Sequence, residues 1–175
     1  DEDVRRGLAR LESPPAYIPP WLEDGRCWGI TCQLYGLRSD RNWGVGDFED
    51  LANLAEQAAA AGADVIGINP LHALFFADAG VFSPYTPSSR RFVTPLYIAV
   101  DALEGGPQPD AASLKAARDA ELIDYPAVAR LKRRALEARF AHFQAHHLSA
   151  GSPEAAAFQN FVREGGKRLE NFALF

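Results

Sequence analysis

Between Trp28 and Ile68 the hydrophobic period changes in an order that few architectures accommodate. Trp28-Gly29-Ile30-Thr31-Cys32-Gln33-Leu34-Tyr35 is an apolar, partly β-branched run of the kind buried in parallel sheets. Gly36 to Gly46 is turn chemistry, with Asn42, Gly44 and Gly46 loosening the backbone. Asp47 then stands where a helix N-cap belongs, and Glu49 and Asp50 suit the positive end of the helix dipole. Phe48, Leu51, Leu54, Ala55 and Ala58 recur at helical spacing until Gly62, and Val65-Ile66-Gly67-Ile68 forms a second apolar run. Strand, helix and strand within roughly 40 residues predict a right-handed parallel βαβ unit. Enzymes built from such units carry their ligand-contacting residues in loops at the carboxyl ends of the strands.

The flanks read differently. Residues 1–26 lack a period; Val4 to Leu11 suits a short helical end, and Pro14, Pro15, Pro19 and Pro20 stop any regular element. This stretch is expected to be a linker or the tail of an upstream domain. Asn69 to Pro95 shows no period and is expected to be a long ordered loop, with Leu96 to Val100 as a short strand after it. The remainder is helical. Asp110 caps one expected helix through about Ala120, and Pro126 sits in the first turn of another that runs to His147 past Arg130, Lys132, Arg133 and Arg134. Ser152 caps a third, with Pro153 at its first position and a stripe of Phe158, Phe161, Leu169 and Phe172. Residues 27–105 and 106–175 are thus expected to be a βα portion and a helical portion. With no Met anywhere and an apolar pattern still running at Leu174-Phe175, the expectation is a piece of a longer enzyme.

Composition excludes several classes. A formal net charge of -5 offers no basic field for phosphate backbones, so nucleic acid is not an expected partner. Cys27 and Cys32 lie five apart in a predicted strand, on opposite faces, which argues against a bridge between them and suits reduced thiols in a cytoplasmic setting. No apolar run approaches the ~20 residues of a membrane helix, and no basic-then-apolar leader is present, so no membrane partner is expected.

Candidate chemistry concentrates in the loops. Gly44-Val45-Gly46 resembles part of a dinucleotide fingerprint, but Glu49 stands where a third Gly belongs, and the acidic helix start would repel a pyrophosphate. A tight turn into a capped helix accounts for it better. His142, His146 and His147 share a helix, yet Phe143 occupies the Glu position of a zinc-protease motif; a solvated face is favoured, and no metal is expected. His72, in Asn69-Pro70-Leu71-His72, divides evenly between loop packing and ligand contact. In Ser83-Pro84-Tyr85 the Tyr offers a flat apolar face and a hydroxyl suited to a pyranose, with Ser83 as a further polar contact; the alternative is a rigid loop whose Tyr packs inward. Arg90 and Arg91 are expected to be solvated or paired with Asp78 or Asp101. Among Asp40, Asp47, Asp64 and Asp78 no pair of acid and base is defensible from spacing.

Several ordered motifs together carry a resemblance. Trp28-Gly29-Ile30, Gln33-Leu34-Tyr35, Leu37-Arg38-Ser39 and Arg41-Asn42-Trp43-Gly44-Val45-Gly46-Asp47-Phe48 resemble the 4-alpha-glucanotransferase family, amylomaltase or disproportionating enzyme. Asn69-Pro70-Leu71-His72-Ala73-Leu74-Phe75, Ser83-Pro84-Tyr85, Ser88-Ser89-Arg90-Arg91-Phe92 and Pro95-Leu96-Tyr97-Ile98 extend the likeness. The resemblance implies an α/β fold, here a partial (β/α)8 TIM barrel with a helical insertion, because a closed barrel takes roughly 250 residues. It implies transfer of a 1,4-alpha-glucan segment to a new 4-hydroxyl by a retaining mechanism, with a maltooligosaccharide as substrate and no cofactor. The family's catalytic carboxylates belong to later strands, so they are expected beyond residue 175, and the rest of the polypeptide would complete the barrel. Tyr85 is implied to line the donor subsite, with Ser83, Asn69 and His72 as further substrate contacts. Thr94 departs from the family pattern, where Asn is expected. A non-catalytic glucan-binding module and an alpha-amylase-type hydrolase are the competing expectations.

Overall fold

A computed structural model describes residues 16–22, 25–75, 78 and 80–174. The expected helical end at Val4 to Leu11, and Pro14 and Pro15, lie outside the described residues. After a 3-10 turn at Pro20–Leu22, strand β1 (Gly29–Cys32) runs parallel to β2 (Val65–Ile68), with Gly29 opposite Val65 and Cys32 opposite Ile68. Helix α1 (Phe48–Ala60) connects them, so the predicted βαβ unit is present. Asp47 caps α1 by accepting from the Glu49 and Asp50 N–H groups, while the Asp50 side chain accepts the Asp47 N–H at 3.0 Å. That reciprocal capping box satisfies donors that a helix start leaves unpaired.

Beyond β2 the structure departs from the expectation. The segment Asn69 to Pro95 holds a second ladder, with β3 (His72–Ala73) antiparallel to β4 (Ser89–Val93). Its register is irregular between His72 and Ala73, which hides the alternation a strand normally displays. The strand expected at Leu96 to Val100 is instead a pair of 3-10 turns, Pro95–Tyr97 and Val100–Ala102. Pro95 lacks an N–H for a ladder, and Thr94 caps the first turn by accepting the Leu96 N–H at 3.4 Å. Leu96 and Tyr97 are both buried, which a strand with alternating faces would not arrange here. The N-terminal run is shorter as a strand than expected, because Leu34–Gly36 turns into a 3-10 helix.

Helices α2 (Ala111–Asp119) and α3 (Tyr125–Phe143) follow, capped by Asp110 and Asp124. A π-helical turn, Gln144–Leu148, continues α3, and α4 (Pro153–Leu174) is interrupted at Gly166. No helix among the described residues is long and apolar enough to cross a membrane.

The core does not lie on the sheet. Leu34, Val45, Leu96, Tyr97, Ala117, Val128 and Ala129 form the main buried cluster, joined by a second around Trp43, Val100 and Ala135. It therefore fills the space between the loops beyond the strands and helices α2 and α3. Strand β1, expected to be buried, is half exposed, with Trp28 just before it at 50% and Val65 of β2 at 49%. Among the described residues each has a single pairing partner, so one edge of each is open.

Close packing behind β1 makes Gly46 indispensable. A Cβ there would lie 1.9 Å from the Leu34 carbonyl oxygen, a backbone atom that cannot rotate away. Gly46→Ala is expected to cost about 2–3 kcal/mol or more in urea unfolding followed by circular dichroism. Gly36→Ala, where a Cβ meets nothing within 4 Å, is the control and is expected to stay within about 0.5 kcal/mol of the parent.

Candidate functional site

The carboxyl ends of β1 and β2 are tied together by one side chain. Asn69, just past β2 and only 6% exposed, accepts the Leu34 N–H through Oδ1 at 2.7 Å. Its Nδ2 donates to the Pro70 carbonyl at 2.8 Å and to the Tyr97 hydroxyl at 3.2 Å. The amide thus joins the exits of two strands to the 3-10 turn carrying Tyr97. Burial pushes the Tyr97 phenol up from its ordinary value, the Asn69 hydrogen bond opposes this, and the nearby Tyr35 and Tyr85 phenols add to the rise. Tyr125 belongs to the same group: burial, followed by Tyr97 and Tyr35, pushes its phenol up to about 12 against the pull of Arg38.

Tyr85 stands at the outer edge of this group, 63% exposed. It occupies a turn in which the Thr86 N–H donates to the Ser83 carbonyl at 3.2 Å and the Tyr85 N–H to the Ser83 hydroxyl at 3.4 Å. Pro84 is buried, so the turn is rooted while the phenol points to solvent. The inward-packed alternative for Tyr85 therefore does not describe this loop. Downstream, Ser88 ties the chain to β3, giving both its N–H (2.9 Å) and its hydroxyl (3.0 Å) to the Ala73 carbonyl.

Ser83 and Tyr85 thus share one turn, and Tyr85 and Asn69 both neighbour Tyr97. Half-buried His72 lies opposite Val93 on the β3–β4 ladder, and none of the interactions at the phenols involves it. Exposed Tyr85 and half-buried Ser83 can meet a ligand directly, whereas the Asn69 amide is engaged by protein atoms. Thr94 spends its hydroxyl on the cap of the Pro95 turn.

Charge is concentrated elsewhere. Arg41 pairs with Asp47, Asp50 and Asp101, and Arg118 donates to the carbonyls of Asn42 (2.6 Å) and Arg41 (2.9 Å). Burial opposes the Arg41 charge, but hydrogen bonds and charge from Asp101 and Asp47 outweigh it and raise its pKa. For Asp50, burial is likewise outweighed by hydrogen bonds from Ser39 and Asn42, so its pKa falls. Held this way, the Asp50 carboxylate favours its ionised form and suits structure rather than proton transfer. Asp101 is therefore the partner of Arg41, while Arg90 and Arg91 are exposed. Asp64 accepts the Trp28 N–H at 3.1 Å beside the strand entry. Among the described residues no group of three or more side chains could hold a metal. His147 instead lies beside Ser152 (3.0 Å) and Glu154 (3.4 Å).

The sequence profile of the family described as 4-alpha-glucanotransferase matches residues 32–175. A 4-alpha-glucanotransferase of Haemophilus influenzae is 37% identical over 186 residues, an alignment covering 99% of this chain and 27% of that protein. One from Mycobacterium tuberculosis is 38% identical over 144 residues, covering 75% of this chain and 18% of its own length. The crystal structure of amylomaltase from Corynebacterium glutamicum superposes with a TM-score of 0.71 at 33% identity, covering 84% of this chain and 22% of that one. The chain thus spans about a quarter or less of the relatives it matches.

Sequence reasoning passed over Lys132, which is 0% exposed on α3. Its ammonium donates to the carbonyls of Leu96 (2.7 Å) and Ile98 (2.9 Å), gripping the turn that presents Tyr97. The signal was its spacing: Val128, Ala129, Lys132, Ala135 and Arg139 share the buried face of α3. Burial lowers the Lys132 pKa to about 8, with the charges of Asp47, Asp50 and Asp101 opposing the fall. Below that pH the amine is charged in folded and unfolded chains alike, and its desolvation cost is constant. Above it, the unfolded chain keeps a proton that the folded chain has released, so stability rises with pH until the ordinary lysine value. Urea titrations at pH 7.5, 9 and 10 are expected to show the parent gaining up to roughly 3 kcal/mol relative to Lys132→Met. A difference that is flat or falls with pH would contradict the assignment.

Proposed function

The chain belongs to the 4-alpha-glucanotransferase family, and on that premise we propose that it forms part of an enzyme moving a 1,4-alpha-glucan segment onto a new 4-hydroxyl. In this reading residues 27–105 are the first βα units of a (β/α)8 barrel. Residues 106–175 are a helical insertion packed over the loops at the strands' carboxyl ends, and residues 1–26 lead in as a linker. The open edges of β1 and β2 are where further barrel strands would pair. The rest of the polypeptide would supply the catalytic carboxylates, one as nucleophile and one as acid, in the double displacement of a retaining enzyme. No cofactor is needed for that chemistry. A reduced, cytoplasmic setting agrees with the free thiols of Cys27 and Cys32.

The observation that carries the reading is the exposed ring of Tyr85 on a rooted turn beyond the carboxyl end of β2. Such a ring can stack under a pyranose while its hydroxyl reaches the sugar edge. Ser83 offers a second polar contact from the same turn. Asn69 acts from beneath by fixing Tyr97 and the strand exits, and His72 is assigned a more peripheral sugar contact from β3.

Two measurements test this. Expressed from its full open reading frame, Tyr85→Ala is expected to lose about 10–100-fold in kcat/KM for maltotriose disproportionation, while Tyr85→Phe keeps most of it. Unchanged kinetics in Tyr85→Ala would remove the sugar platform. The 175 residues alone are expected to release no glucose and to leave maltotriose chain lengths unaltered. Redistribution by this segment would mean that the catalytic carboxylates lie within it.

A further inference from the structure

The Tyr85 turn has a second anchor, on the helical half of the molecule. Phe82, three residues before Tyr85, stacks on Tyr125 with ring centroids 4.3 Å apart and planes inclined by 5°. Phe82 is 46% exposed, so one side of its ring faces solvent and this stack supplies much of its attachment. Tyr125 is firmly seated. It opens α3 immediately after Asp124, whose carboxylate caps the helix by accepting the Ala127 N–H at 2.9 Å. Its phenol lies within reach of Tyr35, Tyr97 and Arg38. Beneath the stack, Leu74, Phe75, Val81, Leu96 and Ala129 leave a void of only about 20 Å³, which is packing space and not a ligand pocket.

We propose that Tyr125 is a positioning residue for the sugar-binding turn: its stack on Phe82 holds Ser83-Pro84-Tyr85 in the outward pose that a glucan meets. The inference rests on the reading of Tyr85 as a sugar platform. Ser88 fixes the downstream end of the turn to β3, and Phe82 fixes the upstream end to α3. With both ends held, the Tyr85 ring is presented before substrate arrives, and less ordering is left to binding. The helical portion therefore contributes to substrate affinity without touching sugar.

The test uses the polypeptide expressed from its full open reading frame, with Tyr125→Ala, Tyr125→Phe and Phe82→Ala compared with Tyr85→Ala. Removing one aromatic stack corresponds to roughly a 3–10-fold change in a local equilibrium. Tyr125→Ala is expected to speed amide exchange across residues 80–88 by about that factor and to raise KM for maltotriose similarly, with kcat changed less. Tyr125→Phe, which keeps the ring, is expected to behave as the parent. Phe82→Ala breaks the same stack from the loop side without altering α3, and is expected to reproduce the Tyr125→Ala effect, so a Tyr125→Ala chain that fails to fold leaves the test intact. Parent-like exchange and KM in Phe82→Ala, or a Tyr125→Phe variant as impaired as Tyr125→Ala, would overturn the proposal. If Tyr85→Ala leaves KM unchanged while the stack variants still loosen the turn, the sugar reading fails and the anchoring stands.

Discussion

One partly buried cation organises the half of the molecule on which the candidate site rests. Arg41 leaves the turn after β1 and gathers Asp47 and Asp50 from the start of α1 with Asp101 from the second 3-10 turn. Asp47 and Asp50 are also the capping box of α1, so the charge that balances them also sets where the helix begins. Arg118 grips the same turn from α2 through the Arg41 and Asn42 carbonyls. Segments distant in sequence are thereby held at one point. Without the guanidinium, largely buried carboxylates would face one another uncompensated, which is far more costly than the loss of an exposed ion pair.

From that point the structure builds outward to the phenols. The glycine turn brings the Gly46 backbone against the Leu34 carbonyl, which places Leu34 in the core and its N–H against Asn69. Asn69 reaches Tyr97, and Lys132 holds the turn on which Tyr97 sits. The Asn69 and Lys132 bonds are polar and buried, and those to the Leu34 N–H and the Leu96 carbonyl satisfy backbone groups that neither ladder nor helix supplies. The sheet contributes little to the core; it supplies the direction in which the loops leave. Helices α2 and α3 do the covering, which is why residues far beyond β2 decide how the loops beyond it are presented.

Legibility differed from element to element for physical reasons. The capped start of α1, its end at Gly62 and the parallel partner strands could be read because caps and periods are local signals. Strand β1 reads as buried yet is half exposed, because an apolar run records the surface it is built to cover, not the partners within one stretch of chain. The β3–β4 ladder escaped notice because β3 is two residues long and its register is irregular. Leu96 to Val100 has strand-like composition, yet Pro95 and the Thr94 cap turn it into 3-10 helix. At the site, Ser83-Pro84-Tyr85 was visible as a motif, whereas Tyr35, Tyr97 and Tyr125 were not singled out as its neighbours.

Taken alone, the amino-acid order determined what short-range chemistry can settle: the strand–helix–strand unit, the Asp caps, the turn glycines and the motifs that mark the family. Tertiary structure alone decided that Asn69 reaches Leu34 and Tyr97, 35 and 28 positions away, that Lys132 is buried against carbonyls, and that Phe82 meets Tyr125. The division has a simple cause. A cap or a glycine turn is satisfied by atoms within a few residues, so its energetics are written in adjacent letters. A buried amide or an aromatic stack draws its partner from whichever distant segment the packed core delivers, and that delivery depends on the whole chain at once.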